Sequence, residues 1–339
     1  MKKAFIKDIH YYLPKEVLDN ETISRSHPEW SIEKIAAKTG IYERHIAAED
    51  EFSSDMAVKA AEKLFSLGQV DRNSIDFVIL CTQSPDYFLP TTACILQDRL
   101  NLSKNIGAFD FNLGCSGFIY GLGICKGLIA TGQATNILLI TSETYSKFVH
   151  ADDKSSKTLF GDAAAATLIS ENKDDNELAG EILDFTYSTD GTGAEHLMVK
   201  NGGMKNRYVR GATITDESGY VSNTDNLFMD GKAIFNFTAL QIPALIKDTL
   251  AKNKLAMEEI DLFVFHQANE FMLQTIRKRA GIPEEKFLVH LRDCGNTVSS
   301  TIPIALCHAV NEKKIKPRNK VLLSGFGVGL SAGGVVIQY

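Results

Sequence analysis

No apolar run in this chain approaches the roughly 18 residues that a membrane-spanning helix requires. Nor is there an excess of positive charge: 36 Lys and Arg stand against 42 Asp and Glu, a formal net charge of −6. A nucleic-acid binder normally shows a strongly basic face, so that class is set aside. Met1-Lys2-Lys3 is basic, but Lys7, Asp8 and His10 break up the next residues and no secretory h-region forms. A soluble cytoplasmic protein is the expectation. The 339 residues suffice for two domains of ordinary size, each with a well-buried core.

Cysteine pairs at CxxC spacing are absent as well. The six cysteines, at 81, 94, 115, 125, 294 and 307, form no metal-like cluster with histidine, so neither a bound metal nor a disulfide framework is expected. Cys81 and Cys94 lie in apolar segments, and Cys125 and Cys307 in apolar helices, where cysteine serves as a small buried side chain. Cys115 differs in position. Gly114 and Gly117 permit a sharp turn around it, and Phe118, Ile119, Leu122, Ile124, Leu128 and Ile129 mark a buried helix beginning at or just after it. A thiol at a helix N-terminus is predicted to have a lowered pKa, which favours thiolate. On the turn alone, packing and nucleophilic catalysis both stay open.

What the chain does contain is an internal echo. An amphipathic helix around Met56 to Leu67 leads through a polar turn to the strand Ile75-Asp76-Phe77-Val78-Ile79-Leu80-Cys81. A helix around Ala244 to Asn253 leads in the same way to Ile260-Asp261-Leu262-Phe263-Val264-Phe265-His266. The turn Asn112-Leu113-Gly114-Cys115-Ser116-Gly117, an apolar helix and the strand Ile137 to Ile140 are answered by Asp293-Cys294-Gly295-Asn296-Thr297, a helix and the strand Lys320 to Ser324. The halves fall at 1–172 and 173–339. In open α/β sheets strand C-termini and helix N-termini converge on one crevice, so a pseudo-twofold pairing brings Cys115, His266 and Asn296 together. His266 ends a strand apolar on both faces and is followed by polar Gln267, Asn269 and Glu270, as where a buried strand emerges into a site. A satisfied core histidine, and a helix N-cap for Asn296, are the structural alternatives.

Leu113-Gly114-Cys115-Ser116-Gly117-Phe118, His266-Gln267-Ala268-Asn269, Gly295-Asn296-Thr297 and Gly325-Phe326-Gly327-Val328-Gly329 together resemble the β-ketoacyl-acyl-carrier-protein synthase III family of the thiolase superfamily. Tyr12-Leu13-Pro14, Lys38-Thr39-Gly40-Ile41 with Glu43-Arg44, Pro90-Thr91-Thr92-Ala93-Cys94 and Phe160-Gly161-Asp162 keep the same family's order over nearly the whole chain. The resemblance implies a thiolase-like five-layered αβαβα fold of two duplicated halves, in a homodimer, with no bound cofactor. It implies Cys115, His266 and Asn296 as the catalytic triad, with acyl-CoA loading the cysteine and a malonyl-acyl-carrier protein then condensing as CO₂ leaves. Backbone N–H groups of Cys115 and Val328 would form an oxyanion hole, Phe326 would wall the acyl pocket, and Leu89 would close the partner subunit's pocket.

Several positions depart from the family's pattern. Phe271 and Asn236 stand where basic residues usually engage the carrier, leaving Lys232, Arg277, Lys278 and Arg279 as the nearby cations. Lys154 matches an arginine near the CoA adenine. The adenine-stacking tryptophan is displaced, so Trp30, or Lys34 in its stead, is expected at the entrance. The segment Thr189 to Ser222, rich in Gly, Asn and Thr, is predicted as mobile loops over that entrance. Two other readings on this fold are an acyltransferase that passes the acyl group to an alcohol or amine, and a non-catalytic partner subunit. Asn296 weighs against the first and Cys115 against the second.

Overall fold

A computed structural model describes residues 2–66, 70–173, 176–215 and 221–339. Leu67, the end of the first predicted helix, and 216–220 of the predicted loop segment lie outside the described residues. Ten strands carry the architecture: β1 (Phe5–Tyr12), β2 (Phe77–Cys81), β3 (Gly107–Phe111), β4 (Asn136–Glu143), β5 (Ala163–Ser170), β6 (Gly180–Thr189), β7 (Leu262–Phe265), β8 (Phe287–Leu288), β9 (Lys320–Gly327) and β10 (Ser331–Gln338). Their order is β8-β7-β9-β10-β6-β1-β5-β4-β2-β3. Outward from the centre, each half repeats the other. β1 is antiparallel to β5, β5 antiparallel to β4, β4 parallel to β2 and β2 parallel to β3. β6, β10, β9, β7 and β8 show the same sequence of senses. The halves meet where Phe5 pairs with Glu181 and Ile6 with Gly180.

The helices repeat too: α1 (Ser53–Ser66), α2 (Thr92–Arg99) and α3 (Gly117–Ala130) are matched by α4 (Gly231–Lys252), α5 (Glu270–Ala280) and α6 (Thr301–Asn311). Strand alternation sorts the side chains into layers. Ile79 and Leu139 of one half, and Val264 and Leu323 of the other, meet Phe118, Ile119 and Leu122 of α3 and Ile302 and Leu306 of α6. Their sequence neighbours point the other way. Val78, Leu80 and Ile140 pack under α1 and α2, while Phe263, Phe265 and Leu322 pack under α4 and α5. Strands apolar on both faces are therefore sheets covered on both sides, and the result is five layers, αβαβα.

Three details differ from the sequence reading. α4 begins at Gly231, well before Ala244, and runs through Pro243. Proline cannot donate to the carbonyl four residues back. Arg279 of α5 supplies that donor, its Nη1 lying 3.2 Å from the Ala239 carbonyl. The Thr189–Ser222 segment is not featureless: Leu197–Val199 pairs with Leu227–Met229, and Ile214–Thr215 with Val221–Ser222. Cys94 is exposed, because α2 turns Ala93 and Leu96 inward and leaves Cys94 on its outer side.

Candidate active site

Cys115, His266 and Asn296 line one cavity of about 770 Å³ at the seam between the halves. Cys115 lies two residues before α3, whose N-cap Ser116 shares a 2.7 Å hydrogen bond with Ser331 of the second half. The end of β9 crosses directly over the thiol. A Cβ on Gly327 would lie 2.8 Å from the Cys115 Cβ and 3.0 Å from its Sγ, and one on Gly325 would lie 2.9 Å from the Cys115 carbonyl. Only glycine lets the two halves approach this closely.

His266 comes directly after β7 and is held by its N–H to the Ser324 carbonyl, 2.9 Å. Its Nδ1 is 2.8 Å from the Thr301 hydroxyl, and its ring stands edge-on to Phe326 with centroids 5.6 Å apart. Asn296 is fixed through its backbone to the loop entering β5: its N–H donates to the Leu159 carbonyl and its carbonyl accepts from the Gly161 N–H. Its side-chain oxygen accepts from the Val298 N–H at 2.9 Å, which leaves the NH₂ for the cavity. Burial pushes the imidazole down to about 3, so the ring is neutral across the ordinary pH range.

The thiol behaves against expectation. Burial, and then the Glu143 carboxyl, push Cys115 up to about 12. The helix start supplies only the macrodipole, whereas a nine-tenths buried thiol also loses the hydration that a thiolate needs. The resting pair is a neutral thiol facing a neutral imidazole.

Tyr145, Phe160, Leu197, Ile234, Met272 and Phe326 make the cavity apolar. Its open end is marked by exposed wall residues, Phe271 at 63% and Phe228 at 40%, with Phe271 stacked on Phe235 at 5.5 Å. Trp30 lies on this wall with Lys38, whose ammonium stands 4.9 Å over the indole. Lys34 is off the wall, its ammonium 5.7 Å from the same ring and donating to the Glu29 carbonyl. Lys154 is also off the wall and pairs with Glu29.

Leu89 is 84% exposed and takes no part in the cavity of a single chain. Val328 is half-buried against the second half's core, and its carbonyl accepts from the Ser331 hydroxyl. Among the surface cations, Lys232 and Lys278 are exposed. Arg277 is committed to Gln274, the Ile282 carbonyl and Glu284. Two features of the site escaped the sequence reading. One is Glu143, wholly buried at the end of β4; the other is Val298, a β-branched residue at φ 55°. A carboxylate closing an apolar strand was the available signal for the first.

A duplicated αβαβα fold with cysteine, histidine and asparagine gathered on the wall of a seam cavity is the arrangement of a thiolase-type condensing enzyme. Comparison with known proteins narrows this. Family models for 3-oxoacyl-[acyl-carrier-protein] synthase III match residues 109–191, and for its C-terminal part residues 250–339. The β-ketoacyl-[acyl-carrier-protein] synthase III of Clostridium perfringens is 37% identical over 338 residues, covering all of both chains. A crystal structure of a 3-oxoacyl-(acyl-carrier-protein) synthase III superposes with a TM-score of 0.96 at 45% identity, covering 99% of this chain and 100% of that one. That of 3-oxoacyl-(acyl-carrier protein) synthase from Burkholderia xenovorans LB400 gives 0.89 at 33% identity, covering 99% and 94%. The chain belongs to the β-ketoacyl-acyl-carrier-protein synthase III family of acyl-transferring condensing enzymes.

Proposed function

We propose that this enzyme loads an acyl group from acyl-CoA onto Cys115 and condenses it with a malonyl-acyl-carrier protein, releasing CO₂ and a 3-oxoacyl thioester. The placement of His266 and Asn296 on the same cavity wall as Cys115 carries the reading. In loading, the sulfur attacks the thioester carbonyl while His266 Nε2 takes the thiol proton; the proton then leaves with the departing CoA thiol. The oxyanion of this step is held by the backbone N–H groups of Cys115 and Val328.

In condensation, the electrons of the breaking C–CO₂ bond flow to the malonyl thioester oxygen. The imidazole Nε2–H and the Asn296 NH₂ donate to that oxygen. Two neutral donors suit a developing enolate, which a carboxylate would repel. The enolate carbon attacks the acyl-enzyme carbonyl, and collapse of the adduct expels the Cys115 sulfur. The apolar wall around Phe326 takes the acyl chain, and Leu89 of the partner subunit caps that pocket in a homodimer. Trp30, with Lys34 and Lys154 nearby, receives the nucleotide end of CoA, while Lys232, Lys278 and Arg277 face the carrier. The division at 172/173 separates the nucleophile's half from that of the two donors, and the enzyme works in the cytoplasm.

Intact-protein mass spectrometry with acetyl-CoA and longer acyl-CoAs, then malonyl-carrier with CO₂ detection, tests this reading. Cys115→Ala abolishes the adduct, and Asn296→Ala loads but decarboxylates at least about a hundredfold more slowly. An Asn296→Ala enzyme that condenses normally would overturn the assignment.

A further inference from the structure

Glu143 is wholly buried and takes no part in the chemistry above. Among the described residues no Lys, Arg or His pairs with it. Its oxygens accept from the Gln83 N–H at 3.2 and 3.1 Å, from the Ser84 hydroxyl at 3.1 Å and from the Ser299 hydroxyl at 3.0 Å. These donors come from the two halves. Gln83 and Ser84 lie just past β2, and the Gln83 side chain packs so tightly on Gly114 that any Cβ there would collide with it. Ser299 belongs to the turn after Asn296. Because the Asn296 side chain accepts from Val298, and Val298 sits in a backbone region hostile to β-branched residues, this turn needs an external hold.

We propose that Glu143 is a positioning residue for condensation: its carboxyl clamps the Asn296 turn of one half to the segment flanking the Cys115 turn of the other. The proposal rests on the condensing reading of the site. The clamp is also a charge. Once ionised it opposes negative charge on the Cys115 sulfur, as it does on Cys81 and Tyr145. Burial, aided by Asp162, holds Glu143 itself up to about 8. The clamp is therefore neutral in acid and charged in mild alkali.

The test uses Glu143→Gln, which keeps an acceptor and lets the serine hydroxyls turn, together with Glu143→Ala and Ser299→Ala. Iodoacetamide labelling of Cys115, read by mass spectrometry, needs no substrate. It is expected to run roughly tenfold faster in Glu143→Gln than in wild type at pH 9 and equally fast at pH 6.5. Malonyl decarboxylation per acylated site is expected to fall roughly tenfold in Ser299→Ala and Glu143→Ala, with recovery in Glu143→Gln. A labelling ratio of one at pH 9, or Ser299→Ala decarboxylating at the wild-type rate, would overturn the proposal. A wild-type enzyme that loads yet never decarboxylates overturns the function reading and the condensation role, while the labelling ratio still decides the charge coupling.

Discussion

The Thr301 hydroxyl stands 2.8 Å from Nδ1 of His266 and 2.9 Å from the Val298 carbonyl. A hydroxyl both donates and accepts, so it serves either tautomer of the ring. It accepts from Nδ1–H when Nε2 is bare, and donates to Nδ1 when Nε2 carries the proton. In the proposed mechanism this lets the same imidazole take a proton during loading and offer one during decarboxylation.

Thr301→Val keeps the shape and removes this partner. The buried Nδ1 is left unpaired, which costs about 1–3 kcal/mol of stability. Decarboxylation by the acylated enzyme is expected to fall by at least about tenfold, and Thr301→Ser to restore it. Stopped-flow CO₂ release from the pre-acylated variants checks this.

Labelling order tracks burial. Cys94 is exposed, whereas Cys115 is buried and held up to about 12. Iodoacetamide at pH 7 is expected to modify Cys94 first, and Cys115 labelling to climb above that by less than tenfold per pH unit as Glu143 ionises. Peptide mapping across pH 7 to 9 reads the order, and early Cys115 labelling would contradict it.

Stability should carry two opposed pH dependences. His266 sits at about 3 in the fold against an ordinary 6.5, so the unfolded chain binds more protons between those values and stability rises with pH there. Glu143 sits at about 8 against 4.5, so the folded chain binds more protons in that window and stability falls as pH rises through it. Urea midpoints at pH 5 and pH 8 are expected to show a smaller alkaline loss in Glu143→Gln than in wild type.

Close approach makes Gly327 intolerant. Alanine there puts its methyl 2.8 Å from the Cys115 Cβ and 3.0 Å from its Sγ. Gly327→Ala is expected to cost about 1–3 kcal/mol and to cut acyl loading by at least about tenfold. Thermal unfolding and adduct formation, measured on the same sample, separate the two effects.

Arg279 and Pro243 form a testable pair. Arg279→Ala strands the Ala239 carbonyl and is expected to cost about 1 kcal/mol, while Pro243→Ala returns an N–H to that carbonyl and removes the dependence on Arg279. Chemical denaturation of the single and double variants gives the coupling.

The duplication is legible in the sequence because each strand of the echo is apolar on both faces, which only a doubly covered sheet explains. The grouping of Cys115, His266 and Asn296 on one cavity wall is legible because each sits at a turn beside such a strand. The true start of α4 is hidden because Pro243 resembles a helix start, and the Arg279 donor that rescues the helix lies on another element. The acidity of Cys115 is misleading in sequence because a helix start is local whereas burial comes from the other half. Glu143 is marked in sequence only as a carboxylate closing an apolar strand, and nothing near it in the chain shows that its partners are Gln83, Ser84 and Ser299.

The layer formed by α3 and α6 acts as a spacer between the two halves of the sheet, and the spacing has chemical meaning. The roof over Cys115, formed by Gly325 and Gly327, belongs to one half of the sheet, and Cys115 is anchored to the other. Trimming Phe118 or Ile302, both wholly buried in this layer, is expected to let the two halves of the sheet settle and to move the roof against the sulfur. Side chains of this inner layer are therefore constrained by turnover as well as by folding. A survey of substitutions there is expected to find variants in which lost stability and lost turnover go together.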